Sequence, residues 1–285
     1  MSTLRIGLSS TTDLLTSGAV RLEPASLDLL VFPELVDGGY AALMRGEGLH
    51  RRGDPLWEAL REASRSLSCC VVGGSMVLHD IRPGRFVNSS PVFAHGRLIH
   101  HYEKIHLFTP AGDDRFFERG RRVATFSFDA RTARVKAGLI LCYDLRFPEL
   151  ARAMAMRGIQ LLVVPARWPA VRDHAWRTLL QARAIENQIF VVGCNSRDEE
   201  GGTSYVVDPL GKVVYSSAEM GASALDCVTV DLRQIAQAQS LHRNLGDAVF
   251  LRYSCLPALL PDPRVLRHSR ARGKSTGRSR PSRPS

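Results

Sequence analysis

Eight short apolar runs set the terms on which this chain can fold: Leu4 to Leu8, Leu27 to Phe32, Cys70 to Leu78, Val87 to Ala94, Leu98 to Tyr102, Val135 to Leu141, Ile159 to Val164 and Ile189 to Cys194. Each is rich in strand-forming residues and bounded by turn formers. Several are apolar at nearly every position, as strands covered on both faces are. Helical patterns lie between some of them. Asp54-Pro55 reads as an N-cap and first-turn pair, and Leu56, Leu60, Ala63 and Leu67 fall on one side of the helix that follows. Phe147-Pro148-Glu149-Leu150 opens a second helix, and residues 172–187 make a third. Strand and helix alternate as in an α/β layer fold. A late hairpin is expected where Thr203 to Val207 and Val213 to Ser216 flank Asp208-Pro209-Leu210-Gly211-Lys212.

Composition separates a body from a tail. With 45% hydrophobic residues in 285, the chain can bury a sizeable core. The net charge of +10 suggests nucleic acid until it is located: residues 264–285 hold seven Arg and one Lys with no acid, leaving +2 for residues 1–263. The expected organisation is therefore a folded domain over 1–263 and a basic, disordered tail over 264–285. Such a tail could hold a polyanion by counterion release, the one binding function the charge allows. It lacks interleaved aromatics for base stacking, which favours a solvated extension. No run of about 18 apolar residues and no signal-peptide pattern occurs, so no membrane association and a cytoplasmic location are expected. Six cysteines and nine histidines show neither CxxC nor HExxH spacing; no metal is expected.

In layered α/β folds, chemistry collects at the carboxyl ends of strands. Three strand ends here carry reactive groups: Pro33-Glu34, Glu103-Lys104 and Cys142-Tyr143-Asp144. Each alone is more ordinarily a turn residue or an inert packed thiol. Together, a carboxylate, an amine and a thiol suit acyl transfer from an amide or nitrile. A thiol needs a base or a cationic neighbour to attack, and the resulting oxyanion needs a donor.

The words around these positions narrow the reading. Val31-Phe32-Pro33-Glu34, residues 102–108 (Tyr-Glu-Lys-Ile-His-Leu-Phe) and residues 141–150 (Leu-Cys-Tyr-Asp-Leu-Arg-Phe-Pro-Glu-Leu) resemble, in order, the three signature blocks of the nitrilase superfamily of carbon–nitrogen hydrolases. Residues 165–169 and 174–187 resemble the family's later segments. The resemblance, over residues 4 to about 250, implies a four-layer αββα sandwich with no cofactor. It implies Glu34 as general base, Lys104 as oxyanion-stabilising lysine and Cys142 as nucleophile, with the Tyr143 amide completing the oxyanion hole. It also implies homodimers or larger assemblies, joined through the helices after Cys142 and His174.

Many relatives carry a second glutamate after the lysine, in a Gly-Glu step. This chain has Gly112-Asp113, shorter by about 1.5 Å, so either Asp113 or Glu118 takes that role. The block around Cys142 is similar to omega-amidases, which cleave the terminal amide of 2-oxo dicarboxylic monoamides, and to deaminated-glutathione amidases. A substrate carboxylate needs a cation; Arg167 is the first candidate, with Arg172 and Arg146 as rivals. Arg146 also suits a buried salt bridge with Glu149 or Asp144. Tyr40 could reach over the pocket. His106, two residues past Lys104, offers a Cys–His pair as a distant alternative, although no motif in the sequence orients it.

Overall fold

The computed structural model describes residues 2–11, 15, 26–82, 85–219 and 225–248. The tail expected over 264–285 and Cys255 fall outside them. The chain divides into two units, Met1–Asn244 and Leu245–Ser285, and the architecture below belongs to the first.

Two mixed sheets carry it. The first contains β1 (Thr3–Ser9), β2 (Leu29–Val31), β3 (Leu49–His50), β4 (Cys70–Val72), β5 (Met76–Arg82), β6 (Arg85–Ala94) and β7 (Arg97–Glu103). The second contains β8 (Thr125–Asp129), β9 (Arg134–Leu139), β10 (Leu161–Ala166), β11 (Phe190–Asn195), β12 (Tyr205–Val207) and β13 (Val213–Ser216); β14 (Leu225–Asp231) returns to the first. Their orders are β14-β1-β2-β4-β6-β5-β3, with β7 paired to β6, and β13-β12-β11-β10-β9-β8. Strands β1, β2 and β4 run parallel, as do β9, β10 and β11. Among the described residues the helices are α1 (Gly39–Met44), α2 (Pro55–Ser66), α3 (Asp113–Phe116), α4 (Pro148–Ala155), α5 (Asp173–Asn187) and α6 (Arg233–Leu241).

The fully apolar runs are explained by what covers them. In β2, Leu29 and Val31 join the core shared with the second sheet, whereas Leu30 and, just after the strand, Phe32 face a separate cluster with Trp57 and Leu60 of α2. Alternate residues thus serve opposite faces, and both are dry. On the far side, α4 and α5 cover the second sheet. A Cβ on Gly193 of β11 would lie 2.6 Å from Trp176, so the missing side chain lets α5 approach. The result is the expected αββα layering.

Local expectations were mostly met, with two differences. The run from Cys70 to Leu78 is two strands, broken at Gly73-Gly74. Gly74 has φ +63, and a Cβ there would strike the Pro33 carbonyl at 1.9 Å, so no strand residue fits. Asp54 occupies the N-cap position of α2, yet its carboxylate accepts from the Arg51 N–H (2.8 Å) rather than from the helix. The late hairpin forms, and Asp208 holds its turn by accepting from the N–H groups of Leu210 and Lys212.

Candidate active site

The three strand-end groups meet. Glu34 follows β2, Lys104 follows β7 directly, and Cys142 opens a tight turn three residues beyond β9. Lys104 Nζ donates to Glu34 Oε1 (2.8 Å) and to Asp113 Oδ2 (2.9 Å), and all three residues are buried. The Cys142 thiol donates to the Arg167 carbonyl at 3.6 Å, and Glu34 is close enough to act on its titration. Cys142 has φ +42, a conformation costly for a side chain other than glycine and typical of residues held for function.

Asp113, rather than Glu118, is the second acid on the lysine. Its shorter reach suffices because Gly112, at φ +81, turns the chain into α3 and the Phe108 N–H also donates to Oδ2 (2.9 Å). The Tyr40 hydroxyl stands 3.4 Å from both Lys104 Nζ and Asp113 Oδ2. Asn88 Nδ2, from inside β6, holds Glu34 Oε1 at 2.9 Å. The sequence offered one sign of it: a buried amide inside a strand pattern.

Electrostatics follow from burial. It pushes the Cys142 thiol well above its ordinary pKa, and the charge on Glu34 pushes the same way, against the pull of Lys104. Burial also works against charge on Lys104, but Glu34, Tyr40 and Asp113 outweigh it and keep the amine well above its usual value. The resting pair is therefore a protonated thiol beside an ammonium. Attack must be coupled to proton removal by a base within reach.

Asp144 organises the turn that presents Cys142. It is buried and accepts from the Tyr102 hydroxyl (2.7 Å), the Leu141 N–H (3.1 Å), the His106 N–H (2.7 Å) and His106 Nδ1 (2.9 Å). His106 also stacks on Phe147, with ring centroids 3.6 Å apart. The orienting group that the sequence did not reveal for His106 is thus Asp144, and together they brace the loop. The groups acting most strongly on the thiol are Glu34, Lys104 and the Arg167 backbone.

A cavity of about 390 Å³ opens on Cys142, lined among others by Tyr40, Phe108, Tyr143 and Trp168. Three arginines reach its wall, and their states differ. Arg167, first choice for a substrate carboxylate, has its guanidinium engaged: Nε donates to the Glu34 carbonyl (2.9 Å), Nη2 to the Leu35 carbonyl (2.9 Å), and Nη1 pairs with Asp198. Arg146 and Arg172 are exposed, lie over the rings of Trp168 (4.7 Å) and Phe108 (5.4 Å), and have no carboxylate partner among the described residues. The buried salt bridge expected of Arg146 does not form, because Tyr102, His106 and Leu141 occupy Asp144. No group of metal-ligating side chains occurs among the described residues.

Residues 8–240 match the carbon-nitrogen hydrolase family. The 2-oxoglutaramate amidase of Bacillus subtilis is 31% identical over 228 residues, covering 77% of this chain and 84% of that one. The deaminated glutathione amidase of Escherichia coli O157:H7 is 31% identical over 205 residues, with 70% and 73% covered. In fold, the chain resembles Saccharomyces cerevisiae Nit3, a member of branch 10 of the nitrilase superfamily, with TM-score 0.75 at 23% identity and coverage of 87% and 97%. The chain belongs to the carbon–nitrogen hydrolase family.

Proposed function

We propose that this chain is an omega-amidase-like hydrolase, which cleaves the terminal amide of a small carboxylate-bearing substrate through a thioester on Cys142. The observation that carries the reading is the contact of one buried ammonium with two buried carboxylates beside a thiol that opens on a cavity. Glu34 takes the thiol proton as Sγ attacks the amide carbon. The carbonyl electron pair moves to oxygen, where Lys104 Nζ and the Tyr143 N–H stabilise it. Tyr143 stands second in the turn beginning at Cys142, where an amide has no acceptor within the turn. When the intermediate collapses, the carbon–nitrogen bond breaks and Glu34 returns the proton to departing ammonia. Glu34 then deprotonates water, which attacks the thioester; the carbon–sulfur bond breaks and the thiol is restored. Asp113 holds Lys104 in register throughout.

The substrate carboxylate is assigned to Arg146 and Arg172, whose guanidinium groups have no carboxylate partner among the described residues and line the cavity wall. Arg167 braces the backbone instead. Similarity to a 2-oxoglutaramate amidase supports the same substrate class. Self-association is part of the reading: Val171, 93% exposed, and Ile185, 48% exposed, flank and line α5 and suit a second copy. The five described cysteines are all free thiols, which supports a cytoplasmic setting. The basic residues 264–285 have no part in the chemistry.

The test is ammonia release from a panel of 2-oxoglutaramate, deaminated glutathione and an uncharged amide of equal length, with Cys142→Ala alongside. Turnover confined to the carboxylate-bearing amides and lost in the variant is expected. Equal turnover of the uncharged amide would remove the carboxylate from the substrate, and activity surviving in Cys142→Ala would remove the thioester. Deleting residues 264–285 should leave the rates unchanged.

A further inference from the structure

Helix α1 begins in an unusual way. Its N-cap is Gly38, at φ 120, followed by Gly39 at φ 70, and no side chain of its own sequence caps it. The first-turn N–H groups of a helix lack backbone acceptors and need another partner. Here the partner comes from 160 residues away. Glu200, in the loop between β11 and β12, accepts from the Tyr40 N–H through Oε2 (2.9 Å) and from the Ala41 N–H through Oε1 (2.9 Å). A bidentate, charge-assisted pair of this kind fixes position as well as energy.

The same carboxylate is tied to the other end of the segment. Arg167 Nη1 lies 3.5 Å from Glu200 Oε2, while its Nε and Nη2 hold the carbonyls of Glu34 and Leu35. Glu34 and Tyr40 are therefore fastened to one Arg167–Glu200 pair at the two ends of a seven-residue stretch. Between them, Leu35 has φ +43, a strained value for leucine. Gly39 is required by this closeness: a Cβ there would stand 2.3 Å from Glu200 Oε2 and 2.6 Å from the Arg167 guanidinium. The two side chains so fixed, Glu34 and Tyr40, both meet Lys104 Nζ.

We propose that Glu200 is a positioning residue for the lysine of this site: by holding the Tyr40 amide, it sets the Tyr40 hydroxyl against Lys104 and Asp113. The inference rests on the amidase reading for its kinetic consequence, and on the contacts alone for its structural one. Glutamine at position 200 keeps the length but presents one acceptor and one N–H₂ to two N–H donors, so one contact becomes repulsive. Tyr40 should then shift while the rest of the fold stays.

The experiment is a double-mutant cycle with Glu200→Gln and Tyr40→Phe, assayed on 2-oxoglutaramate. Each single change is expected to lower kcat by roughly tenfold, the size of one weakened charge-assisted contact, with KM altered less than about threefold. The double variant should be no slower than Tyr40→Phe alone. Equal losses from Glu200→Gln in both backgrounds, or no loss from it in either, would overturn the proposal. Gly39→Ala, which presses on the same carboxylate from the helix side, should reproduce the Glu200→Gln kinetics and covers the case in which that variant fails to fold. A readout independent of turnover is the 19F spectrum of protein labelled with 3-fluorotyrosine. The resonance that vanishes in Tyr40→Phe should move in Glu200→Gln; an unmoved resonance contradicts the proposal even if the substrate assignment fails. A wild-type protein inactive on every amide, with the resonance moving as expected, would sink the amidase reading and leave the positioning intact.

Discussion

Two buried acids a short distance along the chain from each other, Asp113 and Asp144, make opposite use of burial. Asp144 has both oxygens occupied by a hydroxyl, two backbone N–H groups and an imidazole nitrogen. Among the described residues it contacts no Lys or Arg; it ties the turn of Cys142 to β7 and His106. Asp113 spends one oxygen on Lys104 and the Phe108 N–H, while its Oδ1 is buried with no hydrogen-bond partner among the described residues. A fully satisfied carboxylate rigidifies, whereas one left partly unsatisfied beside a buried ammonium stores interaction for a reacting group. The arginines divide in the same way. Arg167 is spent on carbonyls and acids, and Arg146 and Arg172 keep their hydrogen-bonding faces open at the cavity wall.

This contrast can be broken by substitution. The largest effect belongs to the proposed nucleophile: Cys142→Ala should lower kcat for amide hydrolysis by at least about 10⁴-fold, as removing a nucleophile does elsewhere, with an unchanged melting temperature. Next come the two acids. Asp113→Asn should lower kcat by about 10²–10³-fold, the loss seen when charge stabilisation at an oxyanion site is disturbed, with little change in urea midpoint. Asp144→Ala should show a clear fall in urea midpoint first, because each buried donor left without its acceptor costs about 1–3 kcal/mol. If the two variants exchanged these signatures, the division between scaffold and chemistry would be wrong.

The arginines give a smaller effect. Arg146→Ala or Arg172→Ala should raise KM for a carboxylate-bearing amide by about tenfold to a hundredfold, the value of a charge-assisted hydrogen bond, while Arg167→Ala should lower thermal stability. The smallest effect is at His100, stacked on Phe126 with a buried Nε2 that has no hydrogen-bond partner among the described residues. Burial, with the nearby His101 and Arg122, pushes its pKa down to about 4. The folded state thus resists a proton that the unfolded chain accepts near 6.5, so this group's contribution is present above pH 6.5 and lost as pH falls toward 4. Replacing His100 by Phe should flatten the urea midpoint over that interval, and an unaltered slope would contradict the assignment.

How much of this was legible in the sequence depends on the range over which each feature is determined. The strand runs, the Pro-led helices and the words around Glu34, Lys104 and Cys142 are local, and they led directly to the αββα layers and the meeting of the three groups. The break at Gly73-Gly74 was hidden because its cause is the Pro33 carbonyl, from the segment that follows β2. Arg167 misled for the same reason. A guanidinium beside a strand end looks available until the Glu34 and Leu35 carbonyls and Asp198 are seen to surround it. Glu200 left no local trace at all, since the helix turn it caps lies 160 residues away. Asp113 was named from its neighbours, but only the turn at Gly112 explains how the shorter acid reaches the lysine.

The central claim is that bond cleavage proceeds through an acyl group on Cys142, and partitioning with hydroxylamine tests it most directly. The amide and the methyl ester of the same acid, each hydrolysed with hydroxylamine present, should yield hydroxamate and free acid in one identical ratio. Ammonia or methanol will have left before the competition for the shared thioester begins. A ratio that depends on the leaving group would mean that water attacks the substrate directly, and the thiol would then have no covalent role.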